Sequence, residues 1–320
     1  MSYKTLEEKY LIEELLLNAE GIGKKLAQRI VDQIPKVGEF DEIDTTELNN
    51  IKGVGPVLAS NIQKRIDNLN LDFSKSIQEI AVKTIVYDYL ENQYQRLNRY
   101  GYDSLNLNTL LFCALGVEKP LQFLKFSFYH FVTISTSTSW GQKPLEKICL
   151  YLGASKIPDS DNVTVSGKRF DIKRETGTKT YYIQLKAGSN TMNIGMVSSL
   201  NDMIEKIEDR HENVKGILGM SDGNKSDVST QIKDNLNEFD DRAYIGKEFW
   251  ELISGDPDMY SKVIYWISSI SEQFSAKFED DYFALISDKL GQIIEDWEER
   301  YGDIESGSMA SYVDELVSPE

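Results

Sequence analysis

The chain has 320 residues, 41% hydrophobic and 27% charged, which suits a globular protein with one large core and room for a smaller domain. Its N-terminal run mixes acids with leucines and its most apolar stretch carries Lys125 and His130, so neither a signal peptide nor a membrane span is predicted. Cys113 and Cys149 lack metal-type spacing and predict no disulfide framework, so we expect a soluble protein in a reducing, cytoplasmic setting.

The net charge of −17 is concentrated towards one end of the chain. Residues 271–320 hold 14 acids and three bases, a net of −11, which leaves −6 for the first 270 residues. A strongly acidic total disfavours a nucleic-acid partner, because phosphates attract Lys and Arg. An acidic helix can nevertheless lie apart from a basic working face, so the total charge excludes no DNA-binding function.

The N-terminal region contains one pattern twice, with an offset of 32 residues. The segments NAEGIGKKLAQRI and NIKGVGPVLASNI each place a pair of glycines before an apolar-periodic helix; the glycines are Gly21, Gly23, Gly53 and Gly55. Glycine permits positive φ and close backbone approach, and the amides that open the following helix suit a phosphate. The repeat therefore predicts two helical hairpins with an anion-binding turn in each.

This paired pattern resembles the tandem helix-hairpin-helix domains of repair and recombination proteins. The resemblance implies that residues 1–70 form an all-α domain whose turns grip double-stranded DNA through its phosphates, without reading sequence. Lys24 and Lys25, which follow the first turn, join the four glycines as predicted DNA contacts. Acids around the repeat leave open the alternative that this module binds protein.

From residue 71 the chain is predicted to be helical. Tyrosines are interleaved with Arg96 and Arg99, a mixture found in nucleic-acid-binding helices but more often in amphipathic core helices. A further helix starts at Pro144 and carries Glu146 in its first turn. The segment SDNVTVSGKRFDIKRE then predicts a strand with a turn at Ser166-Gly167, which leads to Asp171.

The next strand, YYIQLKAG, has an unusual pattern of polar residues. Side chains alternate across a strand, so Tyr182, Gln184 and Lys186 share one face while Ile183 and Leu185 share the other. The apolar pair belongs in a core. The amide and the lysine must then be satisfied by a different environment.

The order Glu146, Asp171, Gln184-x-Lys186 resembles the PD-(D/E)XK nuclease superfamily. The resemblance implies an α/β fold over residues 71–270, with a mixed central sheet flanked by helices, and a catalytic set of these four residues. It also implies Mg²⁺ held by Asp171, Glu146, Gln184 and the Leu185 carbonyl. Lys186 would orient or help deprotonate the attacking water and offset developing negative charge.

The chain departs from that pattern at two positions. Phe170 stands where the superfamily has proline, and Gln184 offers a neutral amide oxygen where the superfamily has a carboxylate. Some branches carry glutamine there, and Glu146 can restore the charge. A DNA-binding protein with a degenerate site and no enzymatic activity stays an alternative, as does a repair or transposition endonuclease.

Beyond the lysine, the succession QLKAGSNTMNIGMVSSLNDMI, VKGILGMSDGNKSD and RAYIGKEFWELISGDP resembles type II restriction endonucleases that cut interrupted GGNCC-type sites. This resemblance covers roughly residues 100–260. It implies site-specific double-strand cleavage by a homodimer, beside a cognate methyltransferase. Candidates for reading bases lie in two polar loops: Ser189, Asn190, Asn193, Asn224 and Lys225.

Residues 271–320 are predicted to form an acidic helical extension, and neither histidine, His130 or His211, has a partner arrangement typical of a catalytic or zinc site. Both histidines are predicted to be structural. The extension has one apolar stripe, which predicts a buried helix face. The stripe consists of Phe283, Ile286, Leu290, Ile293, Ile294 and Trp297.

Overall fold

The computed structural model describes residues 6–34, 45–105, 109–117, 119–188, 192–278, 282–305, 309 and 312–313. The chain divides into two compact units. The first comprises Met1–Asp88 with Gly141–Ile270, and the second comprises Tyr89–Trp140 with Ser271–Glu320. In the described ranges, no helix is long and apolar enough to cross a membrane.

Helices make up most of the described chain, and a single sheet lies in the first unit. The helices are α1 (Leu6–Leu17), α2 (Lys24–Val31), α3 (Thr45–Asn49), α4 (Pro56–Leu69), α5 (Ile77–Asn98), α6 (Thr109–Ala114), α7 (Pro120–Gln142), α8 (Pro144–Tyr151), α9 (Ile194–Arg210), α10 (Thr230–Lys233), α11 (Phe239–Arg242), α12 (Lys247–Ser254), α13 (Met259–Phe278) and α14 (Tyr282–Tyr301). The strands are β1 (Ser155–Lys156), β2 (Ile172–Glu175), β3 (Thr180–Lys186), β4 (Val214–Met220) and β5 (Ala243–Ile245).

The sheet is mixed, and its spatial order follows the order of its strands in the sequence. β1 pairs with β2 and β2 with β3 in antiparallel fashion, because the hairpin before β3 is short. β3–β4 and β4–β5 are parallel, and α9 makes the first of the two crossovers. β3 therefore lies between an antiparallel and a parallel neighbour, and most of its side chains are buried.

Two glycines of β4 allow helices to pack closely on both faces of the sheet. A Cβ atom at Gly216 would come within 2.8 Å of Ile204 on α9. A Cβ atom at Gly219 would come within 2.7 Å of Phe249 on α12. The sheet is therefore flanked by helices, as predicted, and the all-helical N-terminal region is also confirmed.

The N-terminal helices are joined to the rest of the first unit by polar contacts. Asp88 on α5 forms a buried ion pair with Arg65 of α4 and accepts a hydrogen bond of 2.6 Å from Asn18. Lys147 on α8 pairs with Glu14 of α1. Because removing one partner of a buried ion pair leaves an uncompensated charge, replacing Arg65 or Asp88 alone would destabilise the packing of α4 against α5.

The second unit has an aromatic core centred on α14. Trp297 is 1% exposed, and its ring centroid lies 4.6 Å from that of Tyr301 and 5.2 Å from that of Tyr312. Tyr102 and Phe123 pack edge-on against the same indole. Such ring pairs add directional packing to the burial of apolar area.

The predicted apolar stripe of α14 is wrong at its first residue. Phe283 is 76% exposed, whereas Ile286, Leu290 and Ile293 are buried. In the first turn of the helix Tyr282 packs inward, with its ring 6.5 Å from that of Tyr94. The contact that the stripe predicts for position 283 is thus made by its neighbour.

Candidate active site and DNA-binding hairpins

Three of the four predicted catalytic residues, Asp171, Gln184 and Lys186, meet where β2 begins and β3 ends. Asp171 immediately precedes β2, and its amide donates to the Ile183 carbonyl at 2.9 Å. The antiparallel register pairs Ile172 with Ile183, so Asp171 lies beside the last residues of β3. Gln184 and Lys186 belong to that end of the strand, and they are brought to Asp171 by strand pairing alone.

Two hydrogen bonds reach the Asp171 carboxylate, and both end on the same oxygen. Oδ2 accepts from the Leu185 backbone N–H at 2.6 Å and from Gln184 Nε2 at 2.5 Å. Within the described chain no hydrogen bond ends on Oδ1, so this oxygen is available to a cation. Gln184 acts here as a donor to the acid, so its amide would have to rotate to serve as the predicted oxygen ligand.

The Asp171 carboxylate is open to the pocket but crowded by protein on its other sides. Loss of water around the carboxylate raises the pKa of Asp171, and the negative charge of Glu146 adds to the rise. The Leu185 amide and the Lys186 charge oppose this shift without cancelling it. Burial, Glu146 and Asp171 likewise raise the pKa of the Cys149 thiol, so the two acids share one electrostatic environment.

Lys186 shares this environment from the end of β3. Burial lowers the pKa of its ammonium, the charge of Lys168 lowers it further, and Asp171 works in the opposite direction. A lysine whose charged form is disfavoured passes a proton more readily than a solvated one. The side chain therefore suits proton transfer as well as charge stabilisation.

A pocket of about 330 Å³ opens against these residues. Asp171, Gln184 and Lys186 line one side, and Lys168 and Arg169 lie at the turn that precedes Phe170. The opposite side is apolar and comes from α9 and the residue before its N-terminal cap. Its members are Met192, Met196, Leu200 and Met203.

The donor set fits a hard divalent cation that keeps part of its water shell. In the part of the chain that the structure describes, no three His, Cys, Asp or Glu side chains form a complete metal-binding group. Mg²⁺, however, is usually held by one or two carboxylates with several waters. Asp171 Oδ1 offers one carboxylate oxygen, and Glu146, in the first turn of α8, lies near enough to influence the pKa of Asp171 but is not among the residues that line the pocket. The Leu185 N–H points to Asp171, so the carbonyl of the same residue faces the same side of β3.

The two N-terminal hairpins bind each other through matching hydrogen bonds. Arg29 Nη1 donates to the Lys52 carbonyl at 2.7 Å, and Asn61 Nδ2 donates to the Glu20 carbonyl at 3.0 Å. Both the donors and the acceptors are 32 residues apart in the sequence. The internal repeat is thus expressed as an approximate two-fold relation, in which the second helix of each hairpin holds the turn of the other.

The glycines of each turn have different roles. Gly21 and Gly53 have φ of +83° and +95°, a region that side chains disfavour. Gly23 and Gly55 are extended and cap α2 and α4. The first amides of both helices lack intrahelical partners, and Lys24 is exposed beside one of these helix starts, so the geometry suits phosphate.

The loop residues predicted to read bases are mostly engaged within the protein. Asn193 caps α9 by accepting from the Met196 amide at 3.0 Å. Asn224 donates to Asp227 at 3.1 Å, and Lys225 pairs with Glu248 at 3.0 Å. Ser189 and Asn190 lie outside the described residues. The base-reading role of these side chains stays a prediction.

Two residues close to the site, Asn162 and Lys168, were not predicted from the sequence. Asn162 bonds to the backbone of Phe170, and Lys168 lines the pocket. The predicted turn at Ser166-Gly167 could have drawn attention to Lys168 as the residue that follows it. Asn162 carries no such local signal, because its partner is eight residues away in the sequence.

Comparison with known protein families was consistent with both regions. Residues 75–274, more than half of the chain, match the sequence model of the type II restriction endonuclease EcoO109I family. Residues 13–68 match the family described as a SAM-like helix-hairpin-helix tandem. A search of the curated proteins found no match.

Proposed function

This chain belongs to the type II restriction endonuclease EcoO109I family, and we propose that it makes sequence-specific double-strand cuts in DNA with a PD-(D/E)XK site and Mg²⁺. The observation that carries the proposal is the meeting of Asp171, Gln184 and Lys186 beside one pocket. An acid that can hold a divalent cation, with a partly desolvated lysine beside it, suits metal-assisted phosphodiester hydrolysis.

Each of these residues has a separate task in the proposed reaction. Asp171 and Glu146, with the Leu185 carbonyl and a rotated Gln184 amide, would hold Mg²⁺. The ion, when bound, would neutralise charge on the scissile phosphate and lower the pKa of a bound water. Lys186 orients the attacking water, accepts its proton as the uncharged amine, and as the resulting ammonium offsets the negative charge that develops on the phosphate.

The hairpins supply binding energy rather than sequence information. Residues 1–70 grip the DNA backbone through Gly21, Gly23, Gly53 and Gly55 and through Lys24 and Lys25. Residues 71–270 carry the nuclease site, and residues 271–320 form the acidic extension. A homodimer would cut one strand with each protomer, in a system with a cognate methyltransferase.

The test is incubation of the purified protein with unmethylated phage DNA and Mg²⁺, beside Lys186→Ala and Asp171→Ala. We expect discrete fragments from the wild type and a loss of cleavage of at least about 100-fold in both variants, with DNA binding retained. Sequencing the fragment ends gives the recognition site. Omission of the divalent cation should abolish cleavage of the same DNA.

Two rival functions give different results in this experiment. A repair or transposition endonuclease would prefer branched or flapped DNA and would leave no discrete bands. A DNA-binding protein with a degenerate site at Gln184 would bind DNA but cut it in neither Mg²⁺ nor Mn²⁺. Either result would reject sequence-specific restriction.

A further inference from the structure

The side chain of Asn162 is buried and bonds to the protein backbone at three points. Asn162 is 9% exposed. Its Nδ2 donates to the Phe170 carbonyl at 2.9 Å, and its Oδ1 accepts from the Phe170 amide at 3.3 Å and from the Val163 amide at 2.9 Å. Both hydrogen-bonding groups of the Phe170 backbone are therefore satisfied by one amide side chain.

Those bonds substitute for a neighbouring strand. Phe170 precedes β2, so its backbone groups lie outside the ladder that begins at Ile172. An asparagine amide offers the same donor and acceptor as a peptide group and can pair with both. The Phe170 ring is also held, since it is 3% exposed and packs edge-on against Tyr182 at 5.9 Å.

The residue held in this way is the one directly before Asp171. The backbone of Asp171 is fixed on its other side by the bond from its amide to the Ile183 carbonyl, 2.9 Å long. Asn162 is itself anchored, because Arg210 of α9 donates to its carbonyl at 3.1 Å. A continuous set of contacts thus runs from α9 through Asn162 to the backbone that carries the Asp171 carboxylate.

Phenylalanine at position 170 explains why the hydrogen bonds from Asn162, the clamp on this backbone, are needed. A proline there would restrict φ through its ring, whereas phenylalanine leaves the backbone free to rotate. Fixing one residue's backbone costs conformational entropy, which the hydrogen bonds to Asn162 offset. The clamp therefore does in the folded protein what the proline ring does through covalent geometry.

We propose that Asn162 is a positioning residue for Asp171, which holds the backbone of Phe170 so that the carboxylate stays in the geometry that the reaction needs. The inference rests on the proposed nuclease function. It predicts an effect on the rate of the chemical step, since a small displacement of a catalytic group lowers the rate more than the affinity for substrate. If Asn162 were merely structural, its substitution would lower stability and leave that rate unchanged.

Asn201 provides a matched control. Its Nδ2 donates to the Asn235 carbonyl at 2.7 Å, and its Oδ1 accepts from the Asn237 amide at 3.1 Å. Asn201, on α9, thus holds the backbone at residues 235 and 237 with one donor and one acceptor of its side-chain amide, as Asn162 does at Phe170. The segment that Asn201 holds does not line the pocket. Asn201→Ala should lower stability without changing the rate of cleavage.

The experiment compares wild type, Asn162→Ala and Asn201→Ala on unmethylated phage DNA in Mg²⁺. We expect the single-turnover cleavage rate of Asn162→Ala to fall by about 10- to 100-fold, the range found when groups that orient metal ligands are removed, with DNA affinity within about two-fold. Hydrogen exchange at the Phe170 and Val163 amides should accelerate in Asn162→Ala alone. Should Asn162→Ala fail to fold, Asn162→Asp, which keeps both acceptor bonds and loses the donor, is measured in its place.

The outcomes separate the two proposals. A wild-type cleavage rate in the folded Asn162 variant overturns the positioning role, whatever happens to its stability. Absence of cleavage by the wild type rejects the nuclease function instead. Hydrogen exchange then tests whether Asn162 holds the Phe170 backbone. Unchanged exchange of the Phe170 amide in Asn162→Ala would show that it does not.

Discussion

Gln184 changes the electrostatics of the candidate site in a way that a carboxylate at this position could not. It donates a hydrogen bond to Asp171 Oδ2, where an ionised acid would repel the neighbouring charge. Glu146 already raises the pKa of Asp171, to which burial makes the largest contribution. The glutamine therefore limits repulsion among the acids when no cation is bound.

Gln184→Glu should expose this balance. The variant loses the donated hydrogen bond and places a third acid in the site, so we expect a loss of about 1–3 kcal/mol of stability in EDTA. Mg²⁺ should restore the melting temperature more in the variant than in the wild type, because the new carboxylate is a better ligand than an amide. Thermal unfolding in EDTA and in Mg²⁺ measures both effects.

Gln231→Glu is the control for that comparison, since Gln231 is exposed on α10. Its melting temperature should match that of the wild type in both buffers. If Gln184→Glu were as stable as the wild type in EDTA, the hydrogen bond from Gln184 to Asp171 would not contribute as proposed here.

At the scale of elements, each of the two hairpins packs its turn against the other. The turn glycine of each hairpin lies against the second helix of the other: a Cβ atom at Gly21 would come within 2.8 Å of Leu58, and one at Gly53 within 2.9 Å of Arg29. Neither hairpin can therefore keep its packing without its copy. The domain should unfold as one cooperative unit.

Gly21→Ala tests this mutual packing. The substitution forces a side chain into a left-handed backbone conformation, at a cost of roughly 1–2 kcal/mol, and also displaces Leu58. Gly302→Ala is the matched control, because Gly302 has φ of +87° but no atom within 4 Å of the added methyl group. We expect Gly21→Ala to lower the urea midpoint more than Gly302→Ala, and equal midpoints would contradict the close hairpin contact.

At the scale of the whole molecule, DNA must approach a protein of net charge −17. Association then depends on local positive charge rather than on the total. Lys24 and Lys25 are exposed at the start of α2, whereas the corresponding residues of the second hairpin, Pro56 and Val57, are uncharged. The first hairpin should therefore supply more of the electrostatic attraction than the second.

Replacing Lys24 and Lys25 together by glutamine should weaken DNA binding equally for all sequences. The slope of the logarithm of affinity against the logarithm of salt concentration should become shallower by about one to two, since each phosphate contact contributes about 0.9. Lys262→Gln, which removes a lysine already paired with Asp256, is the control and should leave the slope unchanged. An unchanged slope in the double variant would place the phosphate contacts elsewhere.

Local regularities of the sequence were enough to determine several features of this protein. The repeat, the alternation of side chains in YYIQLKAG and the order of the acids depend on spacing over a few residues or on an internal copy. The resemblances carried by these patterns implied the mixed sheet, the flanking helices and the all-helical N-terminus, which the structure confirms. They also named Asp171, Gln184 and Lys186, which pairing of β2 with β3 brings together.

Other features were decided only by tertiary contacts. The clamp by Asn162, the donor role of Gln184 and the reciprocal bonds of Arg29 and Asn61 each join residues that are separated in the sequence. The exposed position of Phe283 is a further example. A helical period defines which face of α14 is apolar, but not how far along that face the neighbouring elements extend. Periodicity specifies which side of an element is apolar, while the partner of each polar group depends on which other elements pack beside it.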